Sequence, residues 1–98
     1  MGGDLGHALY AAGYDGVVCI GRAPRPVVLH LSAEGPRLED AGDLWGQGIM
    51  ATQEALGGGR RVRARVAAIG PAGETLSRIA SIGINEGSAA GQCGFGAV

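Results

Sequence analysis

The residues best suited to chemistry in this chain are backbone groups, and they cluster at its end. The last thirteen residues, Glu86-Gly87-Ser88-Ala89-Ala90-Gly91-Gln92-Cys93-Gly94-Phe95-Gly96-Ala97-Val98, include four glycines and three alanines. Glycine costs backbone entropy, so such a run is expected only where the chain turns sharply or approaches something closely. Backbone N–H groups freed by the run can line an anion, as they do around phosphates. Gly91-x-x-Gly94-x-Gly96 is not the dinucleotide order and opens no βαβ unit, so it is a very weak Rossmann signal. A chain that stops just past this motif reads as a piece of a larger protein.

Side chains offer less. Cys19 and Cys93 lie far apart and form no CxxC pair, so the sequence holds no zinc or iron–sulfur ligand set. Two buried or free thiols suit an intracellular protein better than a disulfide. His30 alternates with Val28 on a strand with no acid or nucleophile placed beside it, which reads as a half-buried structural histidine. Trp45, the single tryptophan, reads as a packing anchor. Arg60, Arg61, Arg63 and Arg65 read as the solvated face of one strand.

Composition narrows the class. Ninety-eight residues suit one small domain or part of a larger one. Apolar residues make up 46% and aromatics 4%, so the core is built from aliphatic side chains. The 20 glycines are roughly three times average usage and follow no collagen period, so they are positional. A net charge of −1 gives no reason to expect nucleic acid or an anionic membrane as partner. The N-terminus lacks the basic and apolar regions of a signal peptide. No stretch approaches the roughly 20 apolar residues that span a bilayer. The expected location is cytoplasmic.

The positioning elements follow from period and punctuation. Leu5, Leu9 and Ala12 recur at helical spacing behind a capping Asp4, with Gly13 placed to end the helix. A second helix is expected over 49–56, from Ile49, Thr52, Gln53 and Leu56. Strands are expected over 16–22, 27–32, 62–69 and 76–84, with a short edge strand at 37–40. Residues 70–74 read as a tight loop at a strand end, where ligands often bind. The fold class is α+β: a mainly antiparallel mixed sheet with two short helices.

Five blocks then carry a resemblance. Ala12-Gly13-Tyr14-Asp15-Gly16, Gly21-Arg22-Ala23-Pro24-Arg25-Pro26, Leu44-Trp45-Gly46, Ile69-Gly70-Pro71-Ala72-Gly73-Glu74 and Ala90-Gly91-Gln92-Cys93-Gly94-Phe95-Gly96-Ala97-Val98 occur in order and at similar spacing. Together they resemble the N-terminal domain of the aldehyde ferredoxin oxidoreductase family, which are tungsten and sometimes molybdenum enzymes. The family domain is longer at its start, and the full enzyme continues with two helical domains. Residues 1–98 therefore look like a partial N-terminal domain, the second half of its cofactor-binding fold.

The resemblance implies a use for the glycines. In the family a metal is held by the dithiolenes of two pterins, whose phosphates meet backbone N–H groups and a bridging magnesium. Asp4 and Gly6 match one cofactor loop; Ser88, Ala89, Gly91 and Gln92 match the other. Backbone carbonyls of Asp4 and Ala89 are the implied magnesium contacts. The family commonly has Asn where Asp4 stands, and Arg at the positions of Ser88 and Gln92. Arginine is a bidentate phosphate partner, while Ser and Gln offer neutral donors, so the grip here would rest on backbone. The catalytic acid and the 4Fe-4S cluster belong outside this chain, so no catalytic residue is assigned. The implied chemistry oxidises an aldehyde to a carboxylic acid and passes two electrons to ferredoxin. Implied partners are ferredoxin and the aldehyde, with a homo-oligomer left open. The residues alone also admit a stand-alone phosphate- or nucleotide-binding module, or a structural domain whose glycines only make turns.

Overall fold

The computed structural model describes residues 4–57, 64–85 and 87–98. Helix α1, Leu5–Ala11, ends as its sequence dictates. The N–H of Gly13 donates to the Tyr10 carbonyl at 3.0 Å and that of Tyr14 to the Leu9 carbonyl at 2.9 Å. Gly13 takes φ +92°, which costs glycine nothing. Asp4 stands at the N-cap position but makes no side-chain capping bond, contrary to expectation. Its carboxylate is engaged elsewhere.

Strands β1, Val27–Ser32, and β2, Gly35–Asp40, form an antiparallel hairpin with Ser32 opposite Gly35. Gly35 supplies the positive φ of the turn, and the Glu34 N–H donates to Ser32 Oγ at 3.3 Å. Pro36 fits because β2 has a neighbour on one side only. His30 is half-buried, as expected, but an acid does stand beside it: its Nε2 lies 3.0 Å from Glu39 Oε2, which the hairpin register brings across from β2.

Helix α2, Ile49–Gly57, presents the face its spacing predicts: Thr52 and Gln53 are buried, and Ile49 and Leu56 are partly so. It packs on a three-stranded antiparallel sheet of β3 (Ala67–Ala68), β4 (Ile82–Ile84) and β5 (Ser88–Ala90), with β4 central. Ile84, fully buried, anchors this core with Ala68 and Ala80. The helix sits close because Gly83 and Gly70 carry no side chain beneath Ile49. One-turn 3₁₀ helices at Gly42–Leu44 and Phe95–Ala97 complete the chain.

The α+β class stands, but several expected elements change. The single sheet is two separate antiparallel sheets among the described residues. Residues 16–22 form no strand; Val18 and Ile20 are about 90% exposed and Gly21 takes φ +78°. A β-branched run without a neighbouring strand to pair with has no ladder to join. Residues 70–74 are not a loop: Pro71–Glu74 forms a third short helix, α3, with Pro71 in its first turn. The strand expected over 76–84 shrinks to Ile82–Ile84, because 75–77 are spent ending α3. The Leu76 N–H donates to the Gly73 carbonyl at 2.9 Å and the Ser77 N–H to the Ala72 carbonyl at 2.8 Å, with Leu76 at φ +59°. Of the strand expected over 62–69, residues 62 and 63 lie outside the described residues, as do Arg60, Arg61 and Arg63. Ala67–Ala68 holds the ladder. Trp45 is half exposed rather than a buried anchor. Its neighbour Gly46 ties the Leu44-Trp45-Gly46 block to α3, its N–H donating to Glu74 Oε1 at 2.7 Å.

Candidate functional site

The two ends of the chain meet at Asn85. This residue follows β4 and takes φ +47°, a left-handed conformation that asparagine tolerates. Its N–H donates to the Val66 carbonyl at 3.0 Å, and its Oδ1 accepts the Val66 N–H at 3.0 Å. The side chain thus extends the β3–β4 ladder by one rung where the backbone has begun to turn. Its Nδ2 donates to Asp4 Oδ1 at 2.9 Å. The other Asp4 oxygen, Oδ2, takes Arg65 Nε at 2.7 Å. Asp4, Arg65 and Asn85 therefore bind α1 to the sheet end from which β5 starts.

Ser88 and Ala89 lie in β5, paired with Ile84 and Gly83. Strand β5 is an edge strand among the described residues, so one row of its N–H and C=O groups points away from the sheet. Ala89, Gly91 and Gln92 are exposed. A Cβ built on Gly91 meets no protein atom within 4 Å, and its φ is not left-handed. Gly6 is equally open but lies in the first turn of α1, not in a loop. The Asp4 carbonyl accepts the Ala8 N–H at 3.0 Å, which leaves it one lone pair for another partner. Cys93 and Cys19 are free and exposed, and the described residues hold no group of three or more metal-ligating side chains.

The glycines downstream do a different job. Gly94 takes φ +67°, and a Cβ there runs into the Arg78 carbonyl. A Cβ on Gly96 would lie 2.6 Å from the Ser81 carbonyl oxygen, and one on Gly73 2.5 Å from the Gly96 carbonyl oxygen. These three lock the Phe95–Ala97 turn against α3 and against the backbone of Arg78, Ala80 and Ser81. They hold the far end of the Ser88-to-Gln92 segment as Asn85 holds the near end. Sequence reading located the segment but missed Arg65 and Asn85. Arg65 was hidden among other arginines, and only its left-handed tolerance marked Asn85 as more than a turn residue.

This arrangement suits an anionic ligand held by backbone. The segment is small-residued, exposed at Ala89, Gly91 and Gln92, and fixed at both ends, and the Asp4 carboxylate at the sheet end where it starts is neutralised by a guanidinium. Asp4 is held below its ordinary carboxylate pKa first by its own backbone N–H. Partial desolvation opposes this, and the Arg65 charge and the Arg65 and Asn85 hydrogen bonds add to it. A carboxyl whose folded pKa is depressed adds stability above its unfolded pKa, and that stability is lost as pH falls through the folded value. Asp4→Asn is therefore expected to be less stable than the parent at neutral pH, with the difference shrinking as pH falls through and below the ordinary carboxylate range. Urea unfolding of both proteins from about pH 7 to about pH 3 checks it; a pH-independent difference would contradict it.

No helix among the described residues is long and apolar enough to cross a membrane. The chain is 40% identical over 101 residues to a tungsten-containing aldehyde ferredoxin oxidoreductase of Pyrococcus furiosus, covering 99% of this chain and 16% of that protein. A protein of the same description from Thermococcus kodakarensis is 38% identical over 101 residues, with the same coverage. An aliphatic sulfonate oxidoreductase, WOR-like subunit, of Pyrococcus furiosus is 33% identical over 112 residues, covering 100% of this chain and 18% of that protein. The chain thus spans about a sixth of the length of the curated relatives it matches. The family model described as aldehyde ferredoxin oxidoreductase, N-terminal domain, matches residues 1–98, and the chain belongs to that family.

Proposed function

We propose that this chain is part of an oxidoreductase that oxidises aldehydes to carboxylic acids with ferredoxin as electron acceptor. Its share of the work is to hold a tungsten- or molybdenum-bis-pterin cofactor with magnesium. The observation that carries this reading is an exposed, side-chain-poor segment, Ser88 to Gln92, fixed at both ends in a chain whose whole length matches the family. Backbone N–H groups at Ala89, Gly91 and Gln92, with the Ser88 hydroxyl, would meet the pterin phosphates. The carbonyls of Asp4 and Ala89 would face magnesium, and Gly6 would let the first turn of α1 come close. The bound metal and pterin would supply the two-electron chemistry, and the protein would supply position and electrostatics. A 4Fe-4S cluster, the catalytic acid and the aldehyde pocket fall to other parts of the protein, which we place in the cytoplasm. The test is aldehyde-dependent reduction of ferredoxin by the purified full-length gene product, with the carboxylic acid identified. A fully metallated protein that fails to reduce ferredoxin when a range of aldehydes is supplied would contradict the reading.

A further inference from the structure

The charge pair at the sheet end is more than a tie between elements. Ala67, Ile84 and Ser88 stand in one row across the three strands. Val66 and Asn85 form the next row through their two mutual bonds, and Arg65 lies just beyond. The Asp4 carboxylate, half exposed, thus sits at the end of the sheet where β5 begins. A phosphate held at the start of β5, where Ala89 is exposed, would lie at the same end of the sheet as that negative charge. Arg65, itself partly exposed, cancels it through a 2.7 Å bond.

We propose that Arg65 and Asn85 are positioning residues for a phosphate-bearing ligand on the Ser88-to-Gln92 segment. Asn85 fixes where the segment starts, and Arg65 neutralises the Asp4 charge that would otherwise repel the phosphate. The inference rests on the reading of that segment as a pterin-phosphate site. Two like charges within about 10 Å of each other near a protein surface repel enough to change an equilibrium several-fold. Unmasking Asp4 should therefore loosen the ligand without touching it.

The experiment measures pterin release from the purified full-length gene product, by fluorescence of the oxidised pterin after gel filtration, with circular dichroism alongside. Arg65→Ala should speed release about fivefold, and Arg65→Lys, which keeps the charge, should match the parent. The double variant Asp4→Asn/Arg65→Ala should release more slowly than Arg65→Ala alone, because the Asp4 charge that Arg65 screened is gone. Asn85→Gly, which keeps the left-handed backbone accessible but loses both amide partners, should release faster with unchanged circular dichroism. Parental release from Arg65→Ala or Asn85→Gly would overturn the proposal. So would a double variant that releases as fast as Arg65→Ala, which would make Arg65 a direct ligand or a folding residue. A parent protein with no pterin would instead overturn the cofactor reading, and this inference with it.

Discussion

Gly94→Ala is expected to destabilise the protein by about 3 kcal/mol, the sum of a left-handed penalty of about 1–2 kcal/mol and an overpacking cost of similar size. Gly94 takes φ +67°, and its added Cβ would run into the Arg78 carbonyl, a backbone group that no rotamer change can move aside. The damage should spread. Gly96, two residues on, donates its N–H to the Ala80 carbonyl at 3.0 Å and packs its own carbonyl over Gly73. Pushing the chain off Arg78 strains both contacts, so α3 and the 3₁₀ turn should loosen together. Urea unfolding followed by circular dichroism should show a clearly lower midpoint for Gly94→Ala, with Gly91→Ala close to the parent. An unchanged midpoint for Gly94→Ala would mean the turn is not packed as described.

Gly91→Val should do the reverse: keep the fold and lose the cofactor. Its Cβ has no neighbour within 4 Å among the described residues and its φ is accessible to any residue, so no clash with those residues opposes the change. Among the described residues, the surface the valine would obstruct is the exposed one proposed to meet the pterin phosphates. Close backbone approach is what glycine allows and a branched side chain prevents. Pterin and metal content should fall at least tenfold while circular dichroism stays parental. Gln92→Ala should cost much less, since a neutral hydrogen bond contributes only about 0.5–1.5 kcal/mol. Full loading of Gly91→Val would remove the site assignment.

What the sequence made legible follows from how each element announces itself. Gly13 ends α1 with a glycine at the left-handed position, and the helix was read to within a residue. Helix α3 ends with the same pair of hydrogen bonds but puts Leu76 at that position. A leucine gives no stop signal, and the alternation from Leu76 onward looked like a strand. The run at 16–22 has strand composition, but composition cannot supply a pairing partner, and Val18 and Ile20 stay exposed. For the candidate site, glycine content located the Ser88-to-Gln92 segment. It could not separate Gly91, which faces open surface, from Gly94 and Gly96, which face backbone. Nor could any local pattern bring Asp4 to Asn85, a contact across 81 residues.

The most direct measurement is metal and pterin analysis of the full-length gene product as purified. Tungsten or molybdenum should be present with a pair of pterins for each metal atom, and both should leave together when the protein is unfolded. A folded protein, produced with both metals supplied, that contains neither metal nor pterin would contradict the assignment of Ser88 to Gln92 as a cofactor-holding segment.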